Sequence, residues 1–327
     1  MSRLAFFLAF VVGCGGGTPP SEPVPTEPVK VAEPLATATA PVVGADHKIV
    51  DWVAPDEATI PAGPFGDSIK NGLELFTKTD VLLPEYVPSN MQCSSCHLDK
   101  GRQRDAVPMV GAYARFPKYM ERTGATITLQ DRVNYCFTRS LAGSRLPMES
   151  KEMTDIVNYI AWLSQGIPVG THLEGEVLPQ IKEKVEGDAA RGEKLFTDKG
   201  CVVCHQIDGA GIPGSFPSLW GPRSYSIGAS MAREERAASF ILRFMPKTAP
   251  GTLSMQEAFD LSAFINSHPR PDSPMKENDF PTGGAQYDVP YATFGHEPYR
   301  PPAVLLERAK PELSVVPMPP SVRGTTP

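Results

Sequence analysis

The chain has 327 residues, of which 41% are hydrophobic and 21% are charged, and its formal net charge at pH 7 is -6. This length is sufficient for two domains, each with its own core. The excess of acidic residues argues against a nucleic-acid partner and against charge-driven binding to a membrane surface. An anionic substrate would therefore need a local cluster of positive charge.

The amino terminus, residues 1–14, has the pattern of a lipoprotein-type signal peptide. Arg3 precedes a ten-residue apolar run, which is too short to span a hydrocarbon core about 30 Å thick. The junction Val11-Val12-Gly13-Cys14 resembles a bacterial lipoprotein cleavage site. This predicts export to the periplasm or cell surface with a lipid anchor on Cys14, and Gly15 favours the outer membrane. An ordinary signal peptide with an incidental cysteine is the alternative.

Residues 15–48 are rich in Gly, Pro, Ala and Thr and contain no aromatic residue. A segment of this composition cannot bury a core, so we expect a disordered Pro-rich tether. Folded sequence is expected from residue 49.

Two segments form an internal repeat. Asn71-Gly-Leu-Glu-Leu-Phe76 aligns with Arg191-Gly-Glu-Lys-Leu-Phe196, within helices predicted to begin at Gly66-Asp67 and Gly187-Asp188. Each copy is followed by a C-x-x-C-H motif, a Pro-containing loop and a terminal helix. Two helical units are therefore expected.

The two C-x-x-C-H motifs are Cys93-Ser-Ser-Cys96-His97 and Cys201-Val-Val-Cys204-His205. This pattern is typical of c-type haem attachment, in which both thiols bond to the haem and the histidine ligates the iron. Zinc would need two C-x-x-C pairs in one small module, whereas about a hundred residues separate these pairs. The sequence predicts two covalently bound haem c groups, with disulfides or zinc as the alternatives.

Terminal helices complete both units. Ser150 is the expected N-cap of the first, and Gly166 is expected to stop it. Ser254 and Glu257 form a capping box at the start of the second.

The second haem has several candidates for its other iron ligand. Met245 lies 40 residues after His205, just before a proline and ahead of the terminal helix. Met231 is the rival, and Met255 falls inside the terminal helix. We expect Met245 to be the ligand.

Cys136 holds nearly the same position relative to the first haem, 39 residues after His97. A soft thiolate is a competent iron ligand. An inert buried cysteine and the rival ligand Met148 are the alternatives. We expect His97 and Cys136 to ligate the first iron.

This order of elements resembles class I cytochrome c domains, whose first and last helices cross at a small residue. Gly72 and Gly192 occupy that position, and a mid-helix glycine costs about 1 kcal/mol relative to alanine, which favours a packing role. The predicted fold class is all-α, with cytochrome c domains over 49–170 and 187–270 joined by a linker over 171–186. An irregular Pro-rich extension over 271–327 is expected to wrap over the domains, without chemistry of its own.

The chain also resembles the dihaem thiosulfate dehydrogenases, exported cytochromes that couple two thiosulfates to tetrathionate. The runs that carry this resemblance are Cys93–Asp99, Thr128–Ser140, Tyr159–Leu163, Trp220–Ser224 and Asp288–Tyr291. The resemblance implies that the haem with His97 and Cys136 ligation is catalytic. It also implies that electrons pass through the second haem to an external acceptor such as another cytochrome.

The same resemblance implies which residues handle the anionic substrate. They are Arg132, Ser140 and Arg122, with Arg139 as a further candidate. Pairing with haem propionates or a solvated position is the alternative for any one arginine. Some members of the family have a lysine before the distal methionine of haem 2, where this chain has Phe244.

The predicted function is oxidation of thiosulfate to tetrathionate at the first haem. The same site run in reverse would make the protein a tetrathionate reductase, and the sequence does not fix the direction. A dihaem electron carrier without a substrate of its own is the alternative from another class. Cys136 discriminates between them, because a carrier has no need of it.

Overall fold

A computed structural model describes residues 49–302 and 304–306, which belong to one compact unit. The signal peptide, Cys14, the tether over 15–48 and the end of the carboxyl-terminal extension from residue 307 lie outside the described residues. The predictions for those segments therefore stay predictions.

The described residues are mostly helical. Their α-helices, α1 to α10, span Pro64–Thr77, Thr79–Leu82, Cys93–Cys96, Leu98–Gly101, Leu129–Tyr135, Lys151–Leu163, Ala189–Asp198, Cys201–His205, Glu234–Phe244 and Met255–Ser267. A π-helix over Cys136–Ser140 continues α5, and 3-10 turns span Glu57–Thr59, Tyr113–Arg115, Ser230–Ala232 and Lys276–Asn278. The strands β1 to β6 span Ile49–Val50, Lys118–Met120, Ala125–Ile127, His172–Leu173, Arg270–Pro271 and Leu305–Leu306.

The strands are an addition to the all-α prediction. β1 pairs in parallel with β4, β2 pairs antiparallel with β3, and β5 pairs in parallel with β6. Segments of two or three residues are too short to show the alternation by which a strand is recognised in a sequence. No helix of the described residues is both long enough and apolar enough to cross a bilayer.

The first lobe, α1 to α6, is built on the crossing of α1 and α6. Helix α1 buries Ile69, Leu75 and Phe76 on one face, together with Gly72. A Cβ on Gly72 would lie 2.0 Å from the backbone oxygen of Asp155 in α6, so only glycine allows this contact. The predicted packing role of Gly72 is confirmed.

The second lobe, α7 to α10, repeats this arrangement. A Cβ on Gly192 in α7 would lie 2.0 Å from the backbone oxygen of Asp260 in α10. Each glycine also faces the Cβ of an aromatic residue one turn further along the terminal helix, Tyr159 in the first lobe and Phe264 in the second. The internal repeat of the sequence is thus a repeat of tertiary contacts.

Most of the predicted helix ends are confirmed. The hydroxyl of Ser150 accepts a hydrogen bond from Met153 N, and Ser254 forms a capping box with Glu257. The first helix begins at Pro64 and not at Gly66. Proline is favoured at the first helical position because its missing N–H would have no partner there.

Asn90 joins the two lobes. Its backbone N–H donates to Arg223 O at 3.1 Å, and its side-chain amide donates to Ala210 O at 3.1 Å. Its side-chain oxygen accepts from Ser218 N at 2.7 Å. Because Asn90 precedes the first C-x-x-C-H motif by three residues, these bonds fix that motif against the second lobe.

Candidate active site

Both C-x-x-C-H motifs lie on short helices, α3 and α8. All five cysteines of the described residues have free thiols. Burial raises the pKa of both Cys93 and Cys96 to about 12, and it also raises the pKa of Cys201. Each motif therefore presents two unoxidised thiols within one helical turn, as thioether attachment of a haem requires.

The motif histidines are oriented as iron ligands. His97 Nδ1 lies 2.7 Å from Val107 O, and His205 Nδ1 lies 3.0 Å from Pro217 O. A carbonyl can only accept a hydrogen bond, so Nδ1 carries the proton and Nε2 keeps its lone pair for a metal. Burial lowers the pKa of His205, which favours the neutral form that ligates iron. The residues present therefore fit a haem in each lobe.

Cys136 begins the π-helix that follows α5, and its thiol faces both His97 and Arg132. Arg132 Nη1 donates to Cys136 Sγ at 2.8 Å. Burial acts to raise the pKa of Cys136, but the charge of Arg132 and the hydrogen bond and charge of His97 outweigh it and lower this pKa to about 6. The structure thus brings Cys136 to His97, as the sequence predicts, and favours a thiolate there.

Met148, the rival ligand for the first haem, is engaged elsewhere. Its side chain is 36% exposed. Its sulfur accepts a hydrogen bond from Asn134 Nδ2 at 3.3 Å. This geometry favours Cys136 over Met148.

The four predicted substrate residues come together in one cavity of about 130 Å³. Arg122, Arg132, Arg139 and Ser140 all line it. The π-helix places Ser140 and Arg139 on this wall, and π-helical turns occur frequently at functional sites.

The carboxyl-terminal extension supplies partners for two of these arginines. Arg122 donates to Asp279 Oδ2 from Nε at 3.0 Å and from Nη2 at 2.7 Å, and it also donates to Tyr291 Oη at 2.7 Å. Arg139 bonds to the other oxygen of Asp279 and lies over the ring of Tyr135 at 4.2 Å. Burial lowers the pKa of Arg139 to about 10, so this group stays protonated at neutral pH.

These contacts leave the cavity positive. Three guanidinium groups face one carboxylate, Asp279, and one thiolate, Cys136. One positive charge therefore remains to attract an anion. No chemistry was predicted for the carboxyl-terminal extension. Asp279 lies in irregular chain and belongs to no motif, and Tyr291 entered the sequence analysis only as part of the run Asp288–Tyr291, without a role.

In the second lobe, the position of Met245 favours it as a ligand. Met245 directly follows α9 and packs in the hydrophobic cluster that includes Cys201 and Trp220. Met231 packs instead against the hydrophobic cluster of the first lobe, the same cluster that Cys96 contacts. Met255 lies in the first turn of α10, as predicted.

Two protein families match the chain. Residues 84–169 match the SoxA/TsdA cytochrome c domain, and residues 189–269 match the cytochrome c family. These ranges contain both C-x-x-C-H motifs, Cys136 and Met245.

Several named proteins are similar over most of the chain. The thiosulfate dehydrogenase of Allochromatium vinosum is 38% identical over 257 residues, which are 74% of this chain and 95% of that protein. The thiosulfate dehydrogenase of Psychrobacter arcticus is 39% identical over 240 residues, which are 72% of this chain and 73% of that protein. The solved structure of thiosulfate dehydrogenase (TsdBA) from Marichromatium purpuratum aligns with a TM-score of 0.64 and 32% identity over 72% of this chain. The chain spans 52% of the length of that solved chain.

Proposed function

Because the chain belongs to the thiosulfate dehydrogenase family of cytochrome c oxidoreductases, we propose that it oxidises two thiosulfate ions to tetrathionate. In this proposal two haem c groups are attached covalently, one through Cys93 and Cys96 and the other through Cys201 and Cys204. The proposed iron ligands are His97 with Cys136 in the first lobe and His205 with Met245 in the second.

The observation that carries the proposal is the position of the Cys136 thiol. It faces His97 on one side and accepts a hydrogen bond from Arg132 on the other. Arg132 also lines the cavity with Arg122, Arg139 and Ser140. A nucleophilic sulfur therefore lies beside a positively charged pocket, which an electron carrier does not require.

Cys136 divides the reaction into two steps. In the first step its thiolate sulfur bonds to the terminal sulfur of one thiosulfate, giving Cys–S–S–SO3⁻ and releasing two electrons. When bound, the two haems supply one electron-accepting site each. In the second step another thiosulfate attacks the sulfur next to Cys136, so tetrathionate leaves and the thiolate is restored. Atoms and charge balance in both steps.

The arginines offset the electrostatic repulsion between the two thiosulfate dianions. Arg132 favours the thiolate form of Cys136 and offers its remaining N–H groups to the substrate. Arg122 and Arg139 are held in place by Asp279, so their positive charge is fixed before the substrate arrives. Ser140 adds a hydroxyl that can donate to a sulfonate oxygen.

We propose that the second lobe passes the electrons to an external acceptor such as another cytochrome. Support comes from the interface at Asn90, which holds the two attachment motifs in one compact unit. We also propose export and a lipid anchor on Cys14, on the basis of the Val11–Cys14 junction.

The experiment is rapid mixing of the oxidised, purified protein with thiosulfate while the haem absorbance is followed. We expect thiosulfate alone to reduce the haems, with tetrathionate as the product. Mixing the reduced protein with tetrathionate tests the reverse direction. Reduction by dithionite but not by thiosulfate would contradict the proposed activity and favour an electron carrier.

A further inference from the structure

Arg270 is the largest fully buried side chain of the described residues, with 0% exposure. Its Nη2 donates to Ile265 O at 2.8 Å, and its guanidinium lies over the ring of Tyr225 at 4.4 Å. Its Nε and Nη1 have no hydrogen-bond partner. Two of its three nitrogens therefore point into the interior without an acceptor.

Burial of the Arg270 guanidinium without acceptors for Nε and Nη1 destabilises the folded protein. A guanidinium has only hydrogen-bond donors, and burying a charge without a counter-ion or acceptors carries a large desolvation cost. Among residues 49–302 and 304–306, no carboxylate forms an ion pair with Arg270, whereas Arg122 and Arg139 share Asp279. A bound anion would supply both the opposite charge and the missing hydrogen-bond acceptors, and so would offset the cost of burying this guanidinium.

Arg270 lies where the two haem-attachment regions approach each other. Tyr225, on which it stacks, belongs to the hydrophobic cluster against which Cys96 packs. The preceding residue, Pro269, accepts a hydrogen bond from Gly221 N at 2.7 Å, next to Trp220 of the second lobe. An anion held by Arg270 would therefore lie next to Tyr225, in the cluster that Cys96 packs against, and close to the Gly221 segment of the second lobe.

We propose that Arg270 holds a propionate carboxylate of a bound haem at the junction of the two lobes. The inference rests on the haem binding proposed above. A haem carries two carboxylates, and each motif fixes one haem, so the site offers this chemistry without a further ligand. The accepting carboxylate belongs to the haem of the first or of the second lobe, and the experiment distinguishes the two.

The pairing has an electrical consequence. A fixed positive charge beside a haem stabilises the reduced form more than the oxidised form, because reduction adds one negative charge. Arg270 thus raises the reduction potential of the haem whose carboxylate it holds. It acts as a positioning residue that does not touch the substrate.

The experiment is a redox titration of both haems in the full-length holoprotein carrying Arg270→Met, Arg270→Gln or Arg270→Lys. We expect Met and Gln to lower the ratio of reduced to oxidised haem at a fixed potential by about tenfold, or about 59 mV, for one haem only. Lys should retain most of the wild-type potential because it keeps the charge. The haem that shifts identifies the owner of the carboxylate.

The matched control is Lys182→Gln, because it also removes one positive charge but from an exposed residue in the segment between α6 and α7. We expect this change to leave both potentials unaltered. The inference is overturned if Lys182→Gln reproduces the shift, or if Arg270→Gln and Arg270→Lys both leave the two haem potentials at their wild-type values. The comparison of Arg270→Gln with Arg270→Lys tests the inference even if Arg270→Met does not fold. A wild type without haem by mass would instead overturn the proposed function.

Discussion

Arg132 and Cys136 lie one helical turn apart, and the guanidinium of Arg132 donates to the thiol sulfur of Cys136 at 2.8 Å. The spacing of four residues places both side chains on one face of the chain as α5 passes into the π-helix. A capping box between Thr128 and Asp131 fixes the start of α5. The local sequence therefore positions the cation that favours the thiolate.

Replacing Arg132 with alanine should weaken thiosulfate oxidation without removing the haems. The loss of a hydrogen bond to a charged group is worth about 1.5–3 kcal/mol, which corresponds to a decrease in kcat/KM of roughly 10-fold to 150-fold. We expect much of the effect in KM, because Arg132 also lines the cavity. Steady-state kinetics of Arg132→Ala and Arg132→Lys measure it. An unchanged kcat/KM for the alanine variant would remove Arg132 from the site.

Asp279→Asn should destabilise the protein strongly. The carboxylate is fully buried and bonds to both Arg122 and Arg139. Removing one partner of a buried ion pair leaves uncompensated charge and costs about 3–5 kcal/mol. Thermal and denaturant unfolding measure this cost.

The control for Asp279→Asn is Tyr291→Phe, which removes one hydroxyl bonded to the same network. It should cost only about 1–3 kcal/mol, because no charge is left unpaired. Equal effects of the two variants would show that the ion pairs do not stabilise the fold.

Gly72→Ala and Gly192→Ala should destabilise the lobes in the same way. In each case a new methyl group meets a backbone oxygen of the terminal helix, so the two helices must move apart. Overpacking of this kind costs about 1–3 kcal/mol, occasionally more. Lys70→Ala on the exposed face of α1 is the control and should change the free energy of unfolding by less than about 0.5 kcal/mol. Stable alanine variants would refute the helix crossings.

Met245→Ala should alter the second haem alone. A thioether ligand at the iron gives a distinct charge-transfer band, and this band should disappear while the first haem keeps its spectrum. Met231→Ala is the matched control, because Met231 packs with the first lobe. If the band disappeared in Met231→Ala but not in Met245→Ala, Met231 and not Met245 would be the ligand of the second haem.

The sequence was sufficient to predict the first and last helix of each lobe, the caps at Ser150 and Ser254, and both glycine crossings, because each depends on local spacing or on a motif repeated in the chain. It also placed Cys136 close to His97, since the offset to Cys136 nearly equals the offset between His205 and Met245, and their ligation of iron stays a prediction. These features are periodic or repeated, and pattern reasoning detects both.

Long-range contacts of irregular chain could not be predicted in this way. Asp279 is 157 residues from Arg122 and 140 residues from Arg139, in a segment without hydrophobic periodicity. The burial of Arg270 could not be predicted either, since an arginine between two prolines usually indicates an exposed loop. Only the folded chain shows that it is buried.

Cys136→Met provides the most direct test of the central claim, that the sulfur of Cys136 takes part in the reaction. Methionine can still ligate iron, so we expect a folded protein with two haems and an unaltered second haem. A thioether has no thiolate with which to hold the first sulfur, so thiosulfate oxidation should fall at least about a thousandfold, or roughly 4 kcal/mol in activation free energy. Turnover close to the wild-type rate in this variant would contradict the covalent role of Cys136.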